Sequence, residues 1–221
     1  MKIQVVENVL KANDAVAEAN RRRLRQANLL ALNLMSAPGS GKTALLQETI
    51  PMLGPENPCA VLVGDLQTTR DAERLRDIAD QTIQINTVTG CHLSAPQVAE
   101  ALKGLDIEQL AYLFIENVGN MVCPATFDLG EHVKVVLLSV PEGDDKVAKY
   151  YTLFQQAHAV LLSKVDLLDV LDFDLDRVRS DLAKLNTRAP FIQISAKTGQ
   201  GMAEWIAWLR EQRATIGRDF R

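Results

Sequence analysis

No stretch of this chain narrows the choice of fold more than Leu32-Asn33-Leu34-Met35-Ser36-Ala37-Pro38-Gly39-Ser40-Gly41-Lys42-Thr43. An apolar run enters a Gly-rich turn and passes into a helix-forming segment, Ala44-Leu45-Leu46-Gln47-Glu48-Thr49. Strand, loop and helix in that order are the context a phosphate-binding loop requires. Backbone N–H groups of Gly39, Ser40, Gly41, Lys42, Thr43 and Ala44 can wrap a β-phosphate, and the helix N-terminus adds partial positive charge. Lys42 would reach the β/γ-phosphates and the Thr43 hydroxyl would take Mg²⁺. The pattern G-x-x-x-x-G-K-[ST] begins here with Ser36 in place of Gly and keeps the two glycines nearest the phosphates. The segment marks a nucleotide-binding protein.

With 221 residues, 47% of them hydrophobic, the chain can bury one good core. A net charge of −4 leaves no basic surplus for neutralising nucleic-acid phosphates. The cluster Arg21-Arg22-Arg23-Leu24-Arg25 reads as the solvated face of an N-terminal helix. No apolar run reaches membrane-spanning length, and neither a signal-peptide core nor a lipidation box is expected. Three cysteines do not make a disulfide framework, so a reduced, cytoplasmic protein is expected.

Residues 5–27 place Val5, Val6, Val9, Leu10, Ala15, Val16, Ala19 and Leu24 at helical spacing, predicting one helix or two short ones. Strands are predicted over 29–35, 59–64, 82–87, 111–115, 133–139, 159–163 and 191–194. Pro51 and Gly54-Pro55-Glu56-Asn57-Pro58 should end the helix after the phosphate loop. Further helices are predicted over 71–80, from Ser94 (as N-cap, with Pro96 in the first turn), over 174–185 and over 202–213. Apolar strands alternating with amphipathic helices predict an α/β, three-layer P-loop NTPase fold with a mainly parallel sheet. Residues 1–28 form an added N-terminal helical segment in this reading, and 29–221 the nucleotide-binding domain.

Ligands of such sheets bind beyond the carboxyl ends of the strands. Asp65 follows the second strand, where a carboxylate can hold Mg²⁺ through a water or orient the attacking water. Glu116 ends the next apolar strand as a second acid near Mg²⁺. Gly119 stands where a backbone N–H could sense a γ-phosphate. With Lys42 these make the candidate catalytic set. Ser163-Lys164-Val165-Asp166 is like the N-K-x-D box of GTPases with Ser for Asn. Asp166 would accept from guanine N1–H and the exocyclic amine, and the Lys164 stem would cover the ring. Ser195-Ala196-Lys197 follows the last strand as an S-A-K element, its Ala196 N–H meeting guanine O6. Adenine would mispair at each group, at about 1–3 kcal/mol apiece. GTP is expected over ATP.

Gly90-Cys91-His92-Leu93 and Val122-Cys123-Pro124 lie just past strand ends on the same edge. Adjacent Cys and His point to opposite faces of a strand, so they converge on one ion only from an irregular loop. Thiolates and imidazole suit Ni²⁺, Zn²⁺ or Cu alike, and the alternative is buried thiols beside a polar loop histidine. Cys59, inside a strand, reads as core. His132 and His158 flank strands without ligand partners.

Ala37–Thr43, Gly64-Asp65, Gly90-Cys91-His92-Leu93, Glu116-Asn117-Val118-Gly119-Asn120 with Cys123-Pro124, and Glu142-Gly143-Asp144-Asp145-Lys146 occur in this order. Together they resemble the hydrogenase nickel-incorporation GTPases of the HypB type, within the signal-recognition-like (SIMIBI) class. The resemblance implies a GTPase whose nucleotide controls homodimerisation and nickel transfer during maturation of [NiFe]-hydrogenase. It implies Cys91, His92 and Cys123 as Ni²⁺ or Zn²⁺ ligands at the dimer interface, and as partners another nickel metallochaperone and the hydrogenase large subunit. Lys146 or Lys149 could reach the nucleotide or the partner subunit. Residues 1–30 contain neither Cys nor His, so the N-terminal nickel-storage motifs of some members have no counterpart there. The rival readings are a related metallochaperone GTPase serving urease or a cobalamin enzyme, a P-loop kinase, and a non-catalytic nickel carrier.

Overall fold

The computed structural model describes residues 2–65, 69–87 and 90–216, with side chains from residue 10 onward. Val5, Val6 and Val9 of the N-terminal pattern therefore lie outside the described side chains. The elements run α1 (Lys2–Gln26), β1 (Leu30–Ser36), α2 (Lys42–Leu53), β2 (Cys59–Asp65), α3 (Arg70–Arg76), β3 (Gln81–Asn86), α4 (Ala95–Leu102), β4 (Tyr112–Glu116), β5 (Val133–Ser139), α5 (Lys146–Lys149), α6 (Tyr151–Gln155), β6 (Ala159–Ser163), α7 (Leu175–Leu185), β7 (Phe191–Gln193) and α8 (Met202–Ile216). All seven strands form one parallel sheet in the order β3-β2-β4-β1-β5-β6-β7.

Both faces of the sheet are covered, which is why the strands read as unbroken apolar runs. Leu30, Leu32 and Leu34 of β1 pack with Leu46 and Leu53 of α2, Leu75 of α3 and Trp205 of α8. The alternate residues face the other way. Ala31 packs among Leu24, Val98 and Leu113 under α1 and α4, and Met35 packs among Val136, Leu153 and Val178 under α6 and α7. Trp205 is fully buried and its indole N–H donates to Thr49 Oγ1 at 2.9 Å, fixing α8 to α2.

The N-terminal segment is one continuous helix. Its buried Asn13 and Asn20 reach across to α4 and to the 128–130 turn: Asn13 Oδ1 accepts from Ala95 N, and Asn20 Nδ2 donates to the carbonyls of Ala95 and Leu129. Arg21 adds a two-toothed ion pair with Asp128.

A repeated device closes the sheet's N-terminal edge. The residue before β3, Asp80, accepts from Cys59 N at 2.7 Å through its carboxylate and donates its own N–H to Cys59 O at 3.0 Å. The residue before β5, His132, exchanges the same two bonds with Ala31, and the residue before β6, His158, with Lys134.

The main differences from the sequence reading are two helix ends and two added helices. Pro51 does not end α2, which runs on to Leu53. Pro51 is on the exposed face, so the hydrogen bond it forfeits leaves a carbonyl that water can reach, while Leu53 gains full burial. Helix α3 stops at Arg76: the N–H groups of Ile78 and Ala79 both turn back to Leu75 O, and Asp80 already bonds to Cys59 just ahead of β3. Helices α5 and α6 are additional; at four and five residues they are too short to show a period.

Candidate nucleotide site and metal cluster

The phosphate loop leaves β1, the central strand, between β4 and β5. That is where the chain order reverses in the sheet and a crevice opens. Gly39 and Gly41 sit at φ +74° and +98°, and a Cβ on either would meet nothing within 4 Å. Backbone conformation, and not room, therefore demands glycine at both. Ser36 still belongs to β1 and needs no such freedom. Its hydroxyl oxygen accepts from Lys42 Nζ at 2.8 Å, so the departure from the usual first glycine supplies a resting partner for the lysine. Burial pushes the Lys42 pKa down, with Glu116 acting the other way. A buried ammonium held by one hydroxyl is poised for an anion.

Thr43 Oγ1 donates to Glu116 Oε1 at 2.7 Å. Glu116 is buried, its Oε2 has no hydrogen-bond partner, and burial raises its pKa to about 6. Two hard oxygen donors side by side, one of them a carboxylate with an unfilled acceptor, suit a small dication, so the residues fit Mg²⁺. Asp65 ends β2 on the same edge of the sheet, half-buried, one strand beyond Glu116.

Gly119 is glycine for a different reason from the loop glycines. A Cβ there would stand 2.8 Å from Pro38 Cα and 2.9 Å from Pro38 N. The turn after β4 therefore lies flat on the phosphate loop.

On the far side of that loop is a cavity of 330 Å³, lined by Ser40, Gly41, Ala44, Lys164, Asp166, Ser195, Ala196 and Lys197 among others. Ser163 Oγ donates to Ser40 O at 2.6 Å, so the shorter hydroxyl still ties this strand end to the phosphate loop. Lys164 adopts φ +60°, and its Nζ donates to Gly39 O at 2.7 Å. Asp166 is oriented by Ser195, whose hydroxyl donates to Oδ1 at 2.6 Å.

Cys91, His92 and Cys123 converge, with ligand atoms all within 4.8 Å of one another. The two sulfurs are 2.8 Å apart and Cys91 Sγ is 3.5 Å from His92 Nδ1. Both segments are irregular: Cys91 and His92 sit in a bend before α4, and Cys123 opens a single 3₁₀ turn, Cys123–Ala125. Asn120 Oδ1 accepts from Val122 N at 2.7 Å and holds that turn. The His92 ring lies 3.9 Å from Phe127, and burial lowers its pKa, favouring the neutral, ligating form.

Cys59 is a buried core thiol with its pKa pushed up to about 12. His132 and His158 are spent on the backbone at the opposite edge. Lys146 and Lys149 both engage Asp145, whose carboxyl is drawn down to about 2 by Lys149 and then Lys146; neither lysine lines the cavity. Sequence reasoning missed the Ser36–Lys42 and Ser163–Ser40 contacts, because a hydroxyl's reach depends on how closely two loops approach.

Residues 30–193 match the family described as CobW/HypB/UreG, nucleotide-binding domain. The hydrogenase maturation factor HypB of Azotobacter vinelandii is 48% identical over 213 residues, which span 96% of this chain and 70% of that protein. The hydrogenase/urease maturation factor HypB of Helicobacter hepaticus is 44% identical over 216 residues, 96% of this chain and 88% of the relative. Among solved structures, HypB from Helicobacter pylori in complex with nickel superposes with a TM-score of 0.88 at 40% identity, covering 92% of this chain and 96% of that one. Signal recognition particle 54 kDa protein from Aeropyrum pernix, at 9% identity and a TM-score of 0.56 over 86% of this chain and 48% of its own, shares the fold.

Proposed function

This chain belongs to the HypB family of hydrogenase maturation factors, and from that premise we propose that it is a GTP-hydrolysing metallochaperone. It binds nickel at Cys91, His92 and Cys123 and delivers it to [NiFe]-hydrogenase under nucleotide control. The observation that carries the reading is the span 116–123: its first residue is bonded to Thr43 of the phosphate-loop helix, its middle rests on Pro38, and its last is a thiol of the metal cluster.

Residues 29–221 act as the GTPase domain and 1–28 as its helical extension. Gly39, Ser40, Gly41, Lys42, Thr43 and Ala44 surround the phosphates, and Lys42 leaves Ser36 for the phosphate oxygens. Thr43, Glu116 and Asp65 would hold Mg²⁺, which would supply neutralising charge to the nucleotide's phosphates. Asp65 orients the water that attacks the γ-phosphorus, giving GDP and phosphate. Asp166 and the Ala196 N–H read the guanine edge, Lys164 covers its ring, and Ser195 and Lys197 complete that wall. The Gly119 N–H reads the γ-phosphate. Its movement shifts Cys123 against Cys91 and His92, and so alters their hold on nickel, with Zn²⁺ as the competing ion.

Two copies pair through the face beside Cys123. There Val122 is 63% and Tyr151 57% exposed, and both border one 180 Å³ hollow. The complex hands nickel onward from or to another nickel metallochaperone and the hydrogenase large subunit. Among the described residues no helix is long and apolar enough to cross a membrane, in keeping with a cytoplasmic site of action.

The decisive experiment is nickel titration of the GDP-bound and GTP-analogue-bound protein, with hydrolysis and dimerisation followed with and without nickel. GTP turnover with nucleotide-dependent nickel affinity is expected. No turnover, with one nickel affinity in both states, would leave only a passive nickel carrier. A urease client is the second reading, favoured by the name of the Helicobacter hepaticus relative. Loss of both metalloenzyme activities on gene deletion would support it.

A further inference from the structure

Asn117 lies between Glu116 and the Gly119 turn, and only 1% of it is exposed. Its Oδ1 accepts two backbone N–H groups: Val118 at 2.9 Å, inside the phosphate-sensing turn, and Leu93 at 3.2 Å, the residue after His92. One oxygen thus bridges the metal loop and the nucleotide-facing turn. Its orientation is set by these two N–H groups, which only the amide oxygen can accept, and the groups behind it agree. Behind it Asn33, fully buried on β1, donates its NH₂ to Glu131 Oε1 (3.2 Å). The Asn33 oxygen then faces Asn117 and takes its Nδ2–H at 3.1 Å, which leaves Asn117 Oδ1 for the two N–H groups. Glu131 is itself fixed by Leu129 N on its other oxygen at 2.8 Å. A second contact ties Leu93 to the nucleotide side: a Cβ on Gly64, the residue before Asp65, would stand 2.9 Å from Leu93 Cγ.

We propose that Asn117 is the positioning residue that couples the Cys91-His92-Cys123 cluster to the nucleotide, through the single oxygen shared by Leu93 and Val118. This rests on the reading above, that nickel and nucleotide bind to these two loops. A shift of the turn toward a γ-phosphate carries the Asn117 oxygen with Val118 and draws on the Leu93 N–H. The His92 side of the cluster therefore moves by a route separate from the covalent one that runs through Cys123.

The test compares nickel affinity in GDP and GTP-analogue states for three proteins: the unmodified chain, Asn117→Ala, and Asn33→Ala. The last breaks the same buried network while keeping the bridging oxygen. The unmodified ratio should fall in the range of about 5- to 150-fold usual for coupled sites. Asn117→Ala should bring it to about one, and Asn33→Ala should retain most of it despite a similar loss of melting temperature. A ratio unchanged in Asn117→Ala, or lost equally in both variants, overturns the proposal and leaves the metallochaperone reading standing. A ratio of one in the unmodified chain overturns the coupling and the relay together. Should a variant not fold, amide exchange in the unmodified protein decides the matter. Nickel added to the GDP state should change protection at Val118, and a GTP analogue at Leu93; no change at either would refute the relay.

Discussion

At the N-terminal edge of the sheet Asp80, His132 and His158 each extend a ladder by one rung, with the side chain accepting a strand N–H and the backbone returning a second bond. At the C-terminal edge the same kinds of group are turned away from the ladder. Glu116 keeps a buried oxygen without a partner, Lys42 has a lone hydroxyl for company, and His92 faces Cys91 and a phenyl ring. Polar side chains at one end of a parallel sheet finish the structure, and at the other they wait for ligands. An unfilled valence is not enough to mark the site, since His132 Nε2 at the structural edge is also buried without a partner; what distinguishes the other edge is an open carboxylate oxygen on Glu116 beside the buried Lys42 and Thr43.

The largest effect expected from this contrast is at Lys42. Lys42→Ala should lower GTP turnover by at least about 10²–10³-fold, as loss of a transition-state donor does, while the melting temperature holds or rises because a buried ammonium is gone. Cys123→Ser should come next. Nickel affinity should fall by about 100-fold or more, and GDP affinity, measured by fluorescent nucleotide displacement, should stay within error of the parent. At the opposite edge the outcome inverts: His132→Leu should leave turnover unchanged and cost about 2 kcal/mol of unfolding free energy, by stranding Ala31 N.

The smallest effect separates the edges by pH. His132 is pushed down to about 4, chiefly by burial, so the unfolded chain binds the extra proton and stability is lost as pH falls from 6.5 toward 4. Glu116 is pushed up to about 6, again by burial, so the folded chain holds the extra proton and stability is lost as pH rises from 4.5 through 6. In the nucleotide-free protein Glu116→Gln should therefore stabilise at pH 7, by at most about 2 kcal/mol, and much less at pH 4.5. Urea titrations at the two pH values check it. An equal gain at both would mean that Glu116 is not a strained carboxylate.

The alternation of strands and helices was legible because sheet burial on both faces writes itself as apolar runs. The phosphate loop, the box at 163–166 and the Cys-His pair were legible because each follows a strand end. What pattern could not give were distances between loops. Nothing in the order of residues says that Ser163 reaches Ser40, that Asn117 stands between Leu93 and Val118, or that Gly119 is excluded from bearing a side chain by Pro38. The run of Val133–Ser139 predicted a strand well, whereas the four- and five-residue helices that follow carry too little repetition to be read.

The Gly119–Pro38 contact has a mechanical corollary. With the ring and backbone of Pro38 pressed against a residue that has no side chain of its own, little slack is left, so a displacement of a few tenths of an ångström in one is passed on to the other. A sensor built that way needs no hinge and no wide swing. It works on a short throw, as a pawl does against a tooth, and even a single methyl group added at residue 119 would jam it.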